Sequence, residues 1–239
     1  MVKKKILYIK NNYTGQNLDY LDKFFNVELT CLNSNYLIDK DYFYLNNLIE
    51  SFDIIIIGGG PQHLIGNYLD DYPEIKNQIE LVKIISKTNK LLIGICLGCQ
   101  IIGKTFGLEI NKMDKLCLGY NYLDAKSIDY IYISKNNDKY LSRMDFNLLS
   151  KSFSYHYDCI NFTNNQNSEL FCIGYSNFGI PYIIKHSSSN IYGFQFHPEA
   201  TNDCILNLFK LYPNISIKPD ENINNSNIYL HFFQIFINS

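Results

Sequence analysis

The chain has 239 residues, 46% of them hydrophobic and 18% charged, with a formal net charge of −2. That supplies apolar material for one generous core, and it excludes the basic footprint by which a protein grips nucleic acid. Seven cysteines, an odd number with no repeated paired spacing, point to reduced thiols and a cytoplasmic protein rather than a secreted one.

Lys3-Lys4-Lys5 precedes only Ile6-Leu7-Tyr8-Ile9, too short a run for a secretory h-region, and no stretch approaches a membrane span, so no membrane role is expected. Ile6 to Ile9 reads as the first strand. The loop Asn11 to Asn17 leads into a helix carrying Leu18, Leu21, Phe24 and Phe25 on one face. Val27 to Leu32 reads as a second strand. Asp53 to Ile57 is an apolar run ended by glycines, as a parallel strand buried on both faces would be. Helical spacing of Ile75, Ile79, Val82 and Ile85 predicts a helix over Ile75 to Lys87. Leu91 to Ile95 follows as a strand and Gln100 to Phe106 as the helix behind it.

From Ile128 the pattern is more strand-like, in Tyr130 to Ile133, Leu170 to Tyr175, Tyr182 to Lys185 and Ile191 to Gln195, before a closing helix over Asn202 to Leu211. Strand–helix alternation followed by strand runs predicts an α/β fold: three layers around a mostly parallel central sheet with an antiparallel extension. Asn136 to Ser154 is expected as a loop or short helix at the rim of the site. Residues 1–212 are read as one domain and 213–239 as a C-terminal extension. The extension joins an Asn-rich linker, Asn222 to Asn227, to an apolar end, Ile228 to Ile237, read either as an element docked on its own domain or as a partner-binding segment.

Three motifs carry chemistry. Gly94-Ile95-Cys96-Leu97-Gly98-Cys99-Gln100 reads strand, tight turn, then helix, the form of an elbow that exposes a nucleophile at a strand end. Small residues flank Cys96 because the chain reverses sharply and a substrate must approach the backbone closely. Gly58-Gly59-Gly60-Pro61 ends the strand at Ile57, and His197-Pro198-Glu199 offers a base and a carboxylate to orient it.

At these residues the sequence resembles the class I, or triad, glutamine amidotransferases, across roughly residues 4 to 212. The resemblance implies a flavodoxin-like sheet and an enzyme that hydrolyses L-glutamine to glutamate and ammonia through a cysteinyl thioester, with no cofactor and no metal. It implies Cys96 as nucleophile, His197 as the proton carrier and Glu199 as the group that orients the imidazole. A helix N-terminus and an imidazolium neighbour both favour a thiolate there. The oxyanion would meet the backbone N–H groups of Leu97 and Gly60. Gln100, with Tyr155 and Tyr157 of the stretch Ser154 to Asp158, would line the glutamine pocket. Ammonia would pass to a synthetase or synthase partner chain, similar to that of GMP synthetase or of anthranilate or aminodeoxychorismate synthase, between which the motifs do not choose.

Some residues depart from the family pattern. Cys99 stands where a His or another larger side chain is usual, Gln62 is bulkier than the glycine some members have, and Asn11 to Thr14 offer no counterpart of a pocket serine. Other readings stay open. Cys96-x-x-Cys99 could be a redox or zinc half-site, but no second ligand pair stands nearby. His156 is a rival base, whereas His63 and His186 read as surface or packing residues. A stand-alone γ-glutamyl hydrolase would use the same triad with a more open pocket, and a partner-gated regulatory protein would bind glutamine without free turnover.

Overall fold

A computed structural model of the chain describes residues 3–11, 18, 21–124, 138–149, 151–162, 169–211 and 225–238. Its strands are β1 (Lys4–Lys10), β2 (Val27–Asn33), β3 (Ile54–Ile57), β4 (Leu91–Ile95), β5 (Glu109–Tyr120), β6 (Phe153–Asn161), β7 (Leu170–Tyr175), β8 (Pro181–His186) and β9 (Ile191–Phe194). The helices are α1 (Leu21–Phe24), α2 (Tyr42–Glu50), α3 (Tyr68–Asp71), α4 (Pro73–Ile85), α5 (Leu97–Thr105), α6 (Phe146–Leu149), α7 (Asn202–Leu211) and α8 (Asn225–Ile237).

Seven strands form one sheet in the order β2-β1-β3-β4-β9-β8-β7. The first five run parallel, and β8 and β7 add an antiparallel edge. This is the mostly parallel sheet with an antiparallel extension that the strand and helix pattern predicts. Alternating side chains feed its two faces. Leu7, Ile9, Ile55, Ile57 and Leu92 pack against α2, α4 and α5 on one side. Ile6, Tyr8, Ile54, Ile56, Ile93, Tyr192 and Phe194 turn to the other side, where α8 supplies Ile228, Tyr229, Phe232, Phe233 and Phe236. The Phe194 ring meets Phe232 edge-on at 4.8 Å, and Lys4 Nζ donates to the Phe236 carbonyl at 3.5 Å. The apolar end of the chain is thus a helix docked on the sheet.

Hydrophobic periodicity missed β5, β6, α2 and the one-turn α3. Strands β5 and β6 form a separate antiparallel ribbon whose register shifts between Lys112 and Cys117. The first half of β5 is largely exposed, and charged residues break its alternation. Helix α2 is capped by Asp41, whose side chain accepts from the Tyr44 N–H at 2.8 Å. Between Asp138 and Leu149 the expected irregular segment contains a 3-10 turn at Leu141–Arg143 and the short helix α6. Its Leu141, Met144, Phe146 and Leu149 are buried in the same core as α8. The predicted strand Tyr130 to Ile133, most of the loop Asn11 to Asn17 and the first half of the linker Asn222 to Asn227 lie outside the described residues, and the linker's second half, Asn225 to Asn227, opens α8. Among the described residues no helix is long and apolar enough to cross a membrane.

Candidate active site

The parallel sheet brings the ends of β3, β4 and β9 side by side, so the segments leaving them converge at one edge, where open α/β sheets bind ligands. Cys96 stands between β4 and α5 with φ 51° and ψ −103°, a conformation rare for a side chain other than glycine. It is held there by its own N–H donating to the Phe194 carbonyl at 2.7 Å and by its carbonyl accepting from the Gln100 N–H at 3.1 Å. A Cβ at Gly94 would lie 2.5 Å from the Gly98 carbonyl oxygen, and one at Gly98 would run into the Ile57 carbonyl. The glycine pair therefore lets the turn close and α5 press against the end of β3. Cys99 faces the other way into the core, where burial pushes its thiol well up and a Cβ at Gly193 would come within 2.8 Å of its sulfur.

His197 follows β9. Its N–H donates to the Phe153 carbonyl at 2.7 Å, which ties this segment to the start of β6. Its Nδ1 pairs with Glu199 Oε1 at 2.7 Å, the carboxylate being only 3% exposed. Burial alone would lower the His197 pKa. The negative charges of Glu199 and, after it, Cys96 outweigh burial and hold the imidazole well above its ordinary range. Its Nε2 has no nitrogen or oxygen partner and is left to interact with the Cys96 thiol. Cys96 and His197 line the same cavity of about 660 Å³, as do Gly60, Gln100, Tyr155, Tyr157 and Glu199. The Cys96 sulfur lies 3.9 Å from the Tyr155 carbonyl oxygen and 3.9 Å from Gln195 Nε2. Tyr157 is an exposed wall of the cavity.

The glycine loop after β3 is braced by buried amides. Asn11 Nδ2 donates to the Gly58 carbonyl and to Gln78 Oε1, both at 3.1 Å, while Gln78 Nε2 returns a bond to Asn11 Oδ1 at 2.8 Å. Gln62 Nε2 donates to the Asn11 carbonyl at 3.1 Å and to Glu74 at 3.0 Å. A Cβ at Gly60 would collide with Gln62 Oε1, Asn11 Cβ and Leu97 Cδ2, so only glycine fits there. Sequence reasoning missed Asn11, Gln78 and Glu74. A signal existed for Gln78, a polar residue in register with Ile75, Val82 and Ile85 on the apolar stripe of α4.

One part of the cavity is polar. His63 is exposed, as expected of a surface residue, and it also pairs through Nδ1 with Asp158 Oδ2 at 2.6 Å, leaving Asp158 Oδ1 without a partner. Gln100 Nε2 donates to the Asp158 carbonyl at 2.9 Å. The buried His156 donates Nδ1–H to the same carbonyl at 3.0 Å, and burial, helped by the charge of His197, lowers its pKa to about 4. It is therefore neutral near pH 7. Another part is apolar, where Leu116, Phe153, Ala200, Ile205 and Leu208 cluster. His186 packs on Phe106 at 4.6 Å, away from the cavity lining.

A family model described as Glutamine amidotransferase class-I matches residues 11–204. A glutamine amidotransferase-like protein of Acanthamoeba polyphaga mimivirus is 27% identical over 207 residues, 84% of this chain and 79% of the relative. One subunit of the glutamine-hydrolyzing GMP synthase of Sulfurisphaera tokodaii is 25% identical over 180 residues, 70% of this chain and 84% of the relative. Among solved structures, a glutamine amidotransferase of Thermotoga maritima superposes with a TM-score of 0.66, 16% identity and 100% coverage of both chains, a likeness of fold.

Proposed function

The chain belongs to the class I glutamine amidotransferases, and from that premise we propose that it hydrolyses the side-chain amide of L-glutamine with Cys96 as nucleophile. What supports this most is the convergence of a strained, cavity-facing cysteine with a Glu199-oriented imidazole whose remaining nitrogen interacts with that cysteine. The Cys96 thiolate attacks Cδ of glutamine. Negative charge then gathers on the amide oxygen, where the N–H groups of Gly60 and Leu97 would meet it. Leu97 opens α5, where N–H groups lack partners within the helix. The C–N bond breaks as imidazolium His197 protonates the departing ammonia. The neutral ring then takes a proton from water as it attacks the thioester, and glutamate leaves. Glu199 keeps Nε2 aimed at the reacting atoms and stabilises the imidazolium.

Asp158 offers the unpartnered carboxylate oxygen to the substrate's α-ammonium. Gln100 holds the Asp158 carbonyl in place, and Tyr155 and Tyr157 wall the pocket. Because a similar relative is part of a glutamine-hydrolyzing synthase, the ammonia is proposed to pass to a synthetase or synthase partner chain. The apolar part of the cavity favours one second reading, cleavage of γ-glutamyl amides whose leaving amine is larger than ammonia.

The test is glutamate release by the native chain and by Cys96→Ala, from L-glutamine and from γ-glutamyl anilide. Release from glutamine by the native chain alone is the expected outcome. Preference for the anilide would support the second reading, and equal release by both chains would refute Cys96 as nucleophile.

A further inference from the structure

Helix α8 is buried along most of its length, and its first residue makes contacts that core packing does not require. Asn225 is 2% exposed. Its Nδ2 donates to Asn202 Oδ1 at 2.7 Å and to the Tyr120 hydroxyl at 3.0 Å. Asn202 opens α7 three positions after Glu199. The Tyr120 ring packs edge-on against Phe153 at 5.6 Å, and the Phe153 carbonyl accepts the His197 N–H at 2.7 Å. One side chain thus reaches the His197–Glu199 segment from both flanks, through α7 on one side and through the β5–β6 ribbon on the other. Chains of packed and hydrogen-bonded groups of this kind carry coupling between an element and a site.

We propose that the C-terminal helix is a positioning element for the reacting pair, with Asn225 holding the turn on which His197 and Glu199 sit. One helical turn on, the buried Tyr229 lies within electrostatic reach of Glu199. Burial first, then that carboxylate's charge, keeps its phenol protonated and neutral. The inference rests on the roles assigned above to His197 and Glu199. It predicts that loosening Asn225 weakens the His197–Glu199 pairing, so the imidazolium gives up its proton at lower pH.

The experiment compares Asn225→Ala with Asn202→Ala, with Asn202→Asp, which keeps an acceptor for Asn225, and with the milder Tyr120→Phe. The His197 titration is followed by NMR beside kcat for glutamate release. In both alanine variants the titration midpoint is expected to fall and kcat to drop about tenfold, short of the 10²-fold cost of a full misplacement. Asn202→Asp should recover most of that loss, and Tyr120→Phe should show part of it. A lowered melting temperature with an unmoved His197 midpoint would reduce Asn225 to a packing role and overturn the proposal. The NMR readout needs no turnover, so lack of glutaminase activity in the native chain would count against the assigned reaction and leave the positioning test intact.

Discussion

Cys96 carries backbone strain that typically costs about 1–3 kcal/mol, and the neighbouring Phe194 and Gln100 bonds hold it in place. In the proposed reaction His197 complements it only while it carries a proton to hand over. Since Glu199 is the leading influence that raises the His197 pKa against burial, Glu199→Gln should let the ring lose its proton at lower pH. The alkaline limb of the kcat profile should therefore shift to lower pH, with kcat reduced about 10²-fold or more. A limb that stays where it is in the native chain would sink the assigned role. The neutral, buried His156 is no substitute proton donor near pH 7. Cys96, His197 and Glu199 were legible as members of two short motifs, and the roles proposed for them come from the family resemblance those motifs carry. The Asn11–Gln78–Gln62–Glu74 bracing was not, because its partners lie far apart in the chain and meet only after β1, β3 and α4 assemble.

At the scale of elements, the site depends on how closely α5 approaches β3. Gly98→Ala would drive a methyl group into the Ile57 carbonyl and push the helix outward, moving the Leu97 N–H away from Gly60. Overpacking of this kind costs roughly 1–3 kcal/mol. Denaturant unfolding should register that loss, and kcat should fall further than stability alone explains. Native-like kcat in a destabilised variant would mean that the spacing of α5 and β3 does not set the geometry. Strands β3 and β4 were readable because burial on both faces leaves apolar runs ended by tight turns, and β9 from its strand-like alternation. Strand β5 was obscured because its solvated first half carries charges, and β6 because its buried positions are filled by the polar Ser154, His156 and Asp158.

Across the whole molecule, the sheet needs a helical layer on each side, and α8 supplies much of one from the far end of the chain. Phe232 is fully buried against Phe194, Phe233 and Phe236. Phe232→Ala should cost about 3–5 kcal/mol, read as a lower midpoint in denaturant unfolding. A loss under about 1 kcal/mol, the range of ordinary surface changes, would show that the helix is not part of the cooperative core. The sequence by itself determined the sheet's central strands and the order of the three motifs, since these follow from local hydrophobic pattern and residue type, and its resemblance to a family supplied the roles proposed for Cys96, His197 and Glu199. Only the tertiary structure decided that His63 meets Asp158, that buried amides brace the glycine loop, and that the apolar tail becomes a third layer tied to the site through Asn225. Those pairings join residues distant along the chain, and hydrophobic pattern records how deeply a residue is buried but not which neighbour it will meet.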